Sequence, residues 1–157
     1  MGKVSIVKKE YKGWKNCIEM SNGIVDLIAT TDVGPRIIRF GFVGQQNEFC
    51  EVEDQVGTTG GNEWKIYGGH RLWHSPEHKP RSYEPDNSPI DYREIENGII
   101  LSQPVEPWAQ IKKEIEVTLS PDKAKVFLVH RLTNKGAWPV KLAAWALTVM
   151  APGGKVI

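Results

Sequence analysis

Residues 111–133 read IKKEIEVTLSPDKAKVFLVHRLT, and the two halves of this stretch predict a pair of antiparallel strands. In the first half, apolar side chains recur at every second position, interrupted once by Lys113, and the alternate positions are polar. This pattern is typical of a strand with one buried and one solvated face. After the turn residues 120–123, the second half (126–132) is apolar on both faces, so we expect it inside a stack of sheets. The charged residues of 112–116, Lys113 included, are interpreted as a solvated face.

Similar strand-like runs occur on both sides of this hairpin. IVDLIAT (24–30) and RIIRFGF (36–42) are rich in β-branched and aromatic residues and follow turn residues. Asn97-Gly98, between two apolar-rich runs, favours a second hairpin. VKLAAWALTVM (140–150) also permits a helix, but the prolines that flank it favour a strand. The sequence therefore predicts an all-β protein, an antiparallel β-sandwich, as a single domain over residues 1–157.

The composition argues against several classes of function. Lys and Arg number 20 against 19 Asp and Glu, the formal charge is +1, and the basic residues are scattered. This balance gives no electrostatic reason to expect nucleic acid or an anionic membrane surface. No apolar run reaches the roughly 18 residues that span a bilayer, and no signal-peptide core begins the chain. We therefore expect a cytoplasmic protein with no nucleic-acid or membrane partner, in which Cys17 and Cys50 are reduced and buried.

The candidate functional segment is YGGHRLWHSPEHKP (67–80), which holds three of the four histidines. A Gly-rich stretch (54–63) precedes it and prolines are frequent from residue 76 onward, so we expect YGGHRLWH to lie on loops over a rigid scaffold. His70, His74 and His78 recur at a spacing of four, which on a helix would suit zinc. The Gly-Gly pair and the prolines oppose such a helix. A metal-dependent β-fold enzyme that uses these histidines is an alternative to the other interpretations of this segment.

The same segment suits a pocket for a sugar, which presents hydroxyl groups at its rim and C–H groups on its faces. Guanidinium and imidazole groups would bond the hydroxyls, indole rings would stack on the faces, and carboxylates would accept hydroxyl protons. The adjacent glycines would let a ligand approach the backbone. The residues available are His70, Arg71, Trp73, His74, Glu77, His78, Arg81, Asp86 and Trp64. A loop braced by His and Arg hydrogen bonds is the other interpretation.

Two motifs carry a resemblance to a known family. The pattern Gly68-Gly69-x-x-x-Trp73-x-x-Pro76 resembles the Gly-Gly…Trp-Pro stretch of hexose-phosphate epimerases, which belong to the galactose mutarotase-like superfamily. The run LVHRLTNKGAWPVKLAAWALTVMAPGG (128–154) is similar to a strand–turn–strand element of that fold. The GGHRLWHSPE-type motif is similar to an uncharacterised bacterial branch of the superfamily, and the likeness extends from Trp14 to Gly154.

The resemblance implies an antiparallel "supersandwich" with a sugar site on a concave sheet face and with no metal or organic cofactor. By the resemblance, the candidate catalytic residues are His74 and His78, with one histidine acting as the acid. The candidate substrate-binding residues are His70, Arg71, Trp73, Glu77, Arg81 and Trp64. We therefore expect a protein that binds small-molecule carbohydrate, of the aldose epimerase or mutarotase type. The alternatives are a non-catalytic binding or structural β-sandwich module and the metal-dependent enzyme.

The resemblance also bears on completeness. In the family, the glutamate that acts as the catalytic base comes from the C-terminal part of a chain nearly twice as long. By the resemblance, this chain therefore looks like the N-terminal part of the usual domain. A strand apolar on both faces, such as 140–150, needs neighbours and a covering sheet. We expect either a homo-oligomer formed through the C-terminal strands or a partial domain that lacks further strands.

Overall fold

The computed structural model describes residues 2–155, which form ten β-strands and one short 3-10 turn at Arg81–Tyr83. The strands are β1 (Ser5–Tyr11), β2 (Trp14–Ser21), β3 (Val25–Thr30), β4 (Arg36–Phe42), β5 (Gly69–Ser75), β6 (Asp91–Ile95), β7 (Gly98–Ser102), β8 (Ile111–Leu119), β9 (Val126–Asn134) and β10 (Ala143–Val149). The all-β prediction is confirmed. No helix in this part of the chain has the length and apolar character needed to cross a membrane.

Two antiparallel sheets make up a β-sandwich, as predicted. Six strands follow the order β1-β2-β3-β4-β5-β10, and the other four follow β6-β7-β8-β9. The predicted hairpins are present. Asn97, with a positive φ of 53°, lies at the turn between β6 and β7, and β8 pairs with β9 along its whole length.

The core lies between the two sheets and follows from the alternation seen in the sequence. Every second residue of β8 is buried. Ile115 and Val117 pack with Leu72 of β5 and with Ile99 and Leu101 of β7. Burying each such side chain contributes roughly 1.5–3 kcal/mol. These contacts hold β5 of the large sheet against β8 of the small one.

Lys113 is part of this buried face, so its interpretation as a solvated residue is wrong. Only 3% of its side chain is exposed. Its Nζ lies 2.5 Å from Oε1 of Glu106, which is also buried. A buried ammonium group needs a partner of opposite charge, and Glu106 supplies it.

The expectation that YGGHRLWH forms a loop is also wrong, because Gly69–Ser75 is strand β5. This strand lies between β4 and β10, and all seven of its residues pair with β10. Positions 69–74 are buried on both faces of the sheet. Since polar residues lie on both faces, the sequence lacks the alternation that would have revealed a strand.

The strand predicted within 140–150 is confirmed as β10, but it is an edge strand with Ala144, Ala146 and Thr148 exposed. β9 also lies at an edge, with Phe127 and Val129 exposed, and is therefore not inside a stack of sheets as expected. Both cysteines are free, as expected. Cys17 is buried and Cys50 is only partly buried.

Candidate functional site

Strand β5 separates the predicted site residues into two sets. Successive side chains of a strand point to opposite faces of its sheet. Leu72 belongs to the core between the sheets, so His70 and His74 face the small sheet. Arg71 and Trp73 lie on the outer face, under the loops 43–68 and 76–90. The residues expected to surround one ligand are therefore divided between the two sides of a sheet.

His70 links three strands on the inner side. Its Nδ1 lies 2.8 Å from Thr148 Oγ1 on β10, and its Nε2 lies 2.8 Å from Nε2 of His130 on β9. One Nε2 must donate and the other accept in the His70–His130 hydrogen bond, so the two rings cannot both be protonated. Burial first, then the charges of His130 and Arg36, lower the pKa of His70 to about 4. Burial also lowers the pKa of His130.

On the outer face, two arginines hold one carboxylate. Arg36 and Arg71 each donate a hydrogen bond of 3.1 Å to Oδ2 of Asp86. Burial alone would raise the pKa of Asp86, but the charges of Arg36 and Arg71 outweigh it and lower the pKa. Arg71 also donates to the carbonyl of Lys65 at 3.1 Å. The guanidinium groups are therefore engaged with protein atoms, and Asp86 is held ionised.

Four aromatic rings form a cluster on the outer face, and two of them contact Arg71. Trp73 contacts Trp64, Tyr83 and Trp145 with ring centroids 4.9–5.5 Å apart, in edge-to-face geometry. The Arg71 guanidinium lies 4.8 Å from the centroid of Trp73 and 5.2 Å from that of Trp64. Aromatic and cation–π contacts of this kind stabilise buried arginine. The cluster fixes the loop that carries Asp86 against the sheet.

The remaining predicted residues lie on the loop 76–90. Glu77 accepts a hydrogen bond from the hydroxyl of Tyr83, and Arg81 donates to the carbonyl of Pro76 at 2.7 Å. His78 is exposed, and its backbone N–H donates to Ser82 Oγ at 2.8 Å. These contacts brace the loop itself. Arg81 also lies close enough to His74 for its charge, after burial and the charge of Lys113, to lower the pKa of that imidazole. Within residues 2–155, no hydrogen bond joins Glu77 or His78 to His70 or His74.

A second polar cluster lies between the sheets. Oε1 of Glu106 accepts from Lys113 and from Nε2 of Gln103, the latter at 3.2 Å. Oε2 of Glu106 lies 4.0 Å from Nε2 of His74. Burial raises the pKa of Glu106, against the opposing charge of Lys113. Burial and the Lys113 charge lower the pKa of His74, so its imidazole is neutral.

Asp86 and Glu106 meet at one cavity of about 180 Å³, lined by Gly34 and by residues of the segments 85–88 and 103–107. Glu84 joins these segments by accepting hydrogen bonds from the backbone N–H groups of Trp108 and Ala109, at 3.1 and 3.0 Å. The cavity therefore lies between two loops that are fixed to each other.

Three acceptor oxygens of the lining residues have no hydrogen-bond partner within residues 2–155. They are Oδ1 of Asp86, Oε1 of Gln103 and Oε2 of Glu106. The side chains of Asp86 and Glu106 are 7% and 4% exposed, and Gln103 is 6% exposed. A buried acceptor left unpaired costs roughly 1–3 kcal/mol. We call this group of three oxygens and its cavity the acceptor site.

The alternative of a metal site built from histidines finds no support. His70 and His74 are four residues apart on a strand, which separates them by about 13 Å. Within residues 2–155, no group of three His, Cys, Asp or Glu side chains is placed to hold a metal ion.

Comparison with known proteins gives no family for this chain. No protein-family model matches it, and no match was found among the curated proteins or the solved structures. The resemblance to the galactose mutarotase-like superfamily therefore rests on the sequence motifs and stays a prediction.

Sequence reasoning missed Gln103, Glu106 and Lys113 as site residues. One signal was present, because Lys113 interrupts the apolar face of β8 and a buried lysine requires an acidic partner. Nothing local marks Glu106 or Gln103, which lie in the irregular stretch between β7 and β8. Asp86 was among the residues named as acceptors, but its two arginine partners could not be inferred from spacing.

Proposed function

We propose that this protein binds a small, uncharged carbohydrate at the acceptor site. The observation that carries the proposal is that three residues lining one cavity, Asp86, Gln103 and Glu106, each carry a buried acceptor oxygen without a hydrogen-bond partner within residues 2–155. Such oxygens favour a ligand that supplies several hydrogen-bond donors, and sugar hydroxyl groups are donors of this kind.

The walls of the cavity suit the faces of a sugar ring. Pro85, Pro104, Val105 and Pro107 contribute apolar surface beside the three oxygens. A volume of about 180 Å³ is below the roughly 300–1,000 Å³ of pockets for drug-sized ligands. It corresponds to a ligand of monosaccharide size.

The charges around the cavity favour a neutral sugar over a phosphorylated one. Arg36 and Arg71 are paired with Asp86, and Lys113 is paired with Glu106. None of these three cations lines the cavity, and no other cationic side chain of residues 2–155 does so. A sugar phosphate would bring its anion against carboxyl oxygens, which disfavours binding.

Titration with a panel of neutral aldoses, followed by saturation-transfer NMR and calorimetry, tests the proposal. Gln103→Leu replaces one acceptor by an apolar side chain of similar size. It should weaken binding roughly 2- to 13-fold, as expected for one hydrogen bond of about 0.5–1.5 kcal/mol. Gln46→Leu, at an exposed glutamine of the β4–β5 connection, is the matched control and should leave affinity unchanged. Equal effects of the two substitutions, or no binding of any aldose, would contradict the proposal.

Epimerase-type catalysis is a second candidate, favoured by the unequal environments of Asp86 and Glu106. Asp86 has a lowered pKa and Glu106 a raised one, and both line the same cavity. Carboxyl groups with pKa values moved apart are suited to separate base and acid roles. A protein that opens and recloses a sugar ring requires one of each.

Exchange between the anomeric NMR signals of a bound aldose tests this candidate. Glu106→Gln should abolish exchange, because the amide keeps an acceptor oxygen but cannot supply a proton. The substitution also removes the charge that pairs with Lys113, so exchange is compared with saturation-transfer binding in the same folded sample. Glu94→Gln, at an exposed position of β6, should leave exchange intact. Exchange that survives Glu106→Gln, or that is lost in His78→Ala, would contradict this assignment and favour the histidines predicted from the sequence.

A further inference from the structure

Among the strands of residues 2–155, four lie at sheet edges, and they differ in charge. β1 and β10 end the large sheet, and β6 and β9 end the small one. An edge strand presents unpaired N–H and C=O groups, and charged side chains normally prevent it from pairing with another chain. β1 and β6 carry several charged residues, and β9 carries Arg131, whereas β10 (AAWALTV) carries none. β10 therefore lacks this protection.

The residue at the centre of each edge strand determines whether that strand can pair with the same strand of a second copy. Two identical antiparallel strands related by a two-fold axis bring the midpoint residue opposite itself when the overlap is complete. For β1 this residue is Lys8 and for β6 it is Arg93, so like charges would meet. For β9 it is His130, already bonded to His70. For β10 it is Ala146, which is small, uncharged and exposed.

We propose that β10 pairs with β10 of a second copy of this chain, with the two-fold axis at Ala146. All seven residues of Ala143–Val149 then pair, and the two large sheets join into one. On the outer face, Trp145 then lies opposite Leu147 of the second copy. By symmetry, Leu147 lies opposite Trp145 of the second copy. Contacts between side chains that lie opposite each other on neighbouring strands stabilise the pairing.

Other exposed apolar side chains lie close to β10 in the chain, which supports burial of this side of the sandwich. Trp138 is 81% exposed and Val140 and Met150 are also exposed, on the segments that lead into and out of β10. Large apolar patches on a soluble protein commonly mark an interaction surface. The dimer does not depend on the carbohydrate proposal, because the cavity residues 85–88 and 103–107 are separate from β10.

Sedimentation velocity over a range of concentrations tests the proposal. The chain should sediment as a dimer, and Ala146→Lys should shift it to a monomer because two ammonium groups would meet at the axis. Val7→Lys, at an exposed position of the β1 edge, is the matched control and should leave the dimer intact. A monomer at every concentration would overturn the proposal, because β10 would then not pair with β10 of a second copy.

Cross-linking tests the register itself. Directly opposed residues of antiparallel strands have Cα atoms about 4.5–5.5 Å apart, within the range that a disulfide spans. In a Cys50→Ser background, where the remaining Cys17 is buried, Ala146→Cys should therefore form a covalent dimer on mild oxidation. Val7→Cys in the same background, and the background chain alone, should not. A dimer that resists cross-linking at residue 146 contradicts pairing at this register.

Discussion

Lowering the pH should destabilise this protein through the His70–His130 hydrogen bond. The folded state holds His70 with a pKa of about 4, against 6.5 when exposed to water. Below pH 6.5 the unfolded chain binds a proton that the folded chain does not, so the free energy of unfolding decreases as the pH falls. At 1.36 kcal/mol per pH unit the loss is about 2 kcal/mol at pH 5 and about 3 kcal/mol at pH 4. His130, whose pKa is also lowered, acts in the same direction.

Urea unfolding at pH 7, 6 and 5 measures this effect. His70→Gln should lower the free energy of unfolding at pH 7, because the imidazole contacts are lost. Glutamine cannot be protonated, however, so on acidification to pH 5 this variant should lose about 2 kcal/mol less free energy of unfolding than the unsubstituted protein. His78→Gln, at an exposed histidine of the loop 76–90, should keep the full pH dependence. The reasoning is refuted if His70→Gln and the unsubstituted protein lose the same free energy between pH 7 and pH 5.

Two further predictions concern the elements that position the acceptor site. Asp86→Ala leaves the guanidinium groups of Arg36 and Arg71 buried without their shared carboxylate. Urea titration should show a free energy of unfolding lower by about 3–5 kcal/mol. A loss below about 1 kcal/mol would contradict the pairing. Gly69→Ala should destabilise the protein more than Gly44→Ala, although both glycines have a positive φ. At position 69 the added Cβ would lie 2.1 Å from the carbonyl oxygen of Ile37, whereas at position 44 it would lie in open space. Equal melting temperatures of the two variants would contradict this difference.

The strands that could be predicted are those with a clear alternation or turn signal. β4 and β8 begin and end at the predicted residues, because their apolar side chains and turn residues mark them locally. β5 could not be predicted, because His70, Arg71 and His74 are polar but buried through contacts with other strands and loops. Its residues resemble a loop until their partners are known.

The site was predicted less well than the fold, because distant segments form it. Asp86, Gln103 and Glu106 come from two loops, and Lys113 comes from β8. Their proximity depends on how the two sheets pack, which spacing in the sequence does not encode. The aromatic and arginine residues of 64–81 were recognised as a group, but none of them lines the cavity. Trp64 and Trp73 pack against Arg71, which in turn holds Asp86.

Backbone amide NMR of the labelled protein, titrated with a neutral aldohexose and separately with its 6-phosphate, examines ligand binding at the acceptor site most directly. We predict that the neutral sugar shifts the amide signals of residues 86–88, 103 and 105–106, and that the phosphate ester produces weaker shifts or none. Shifts that instead follow His78 and Arg81, or a preference for the phosphate ester, would contradict the acceptor site as the place where this protein binds carbohydrate.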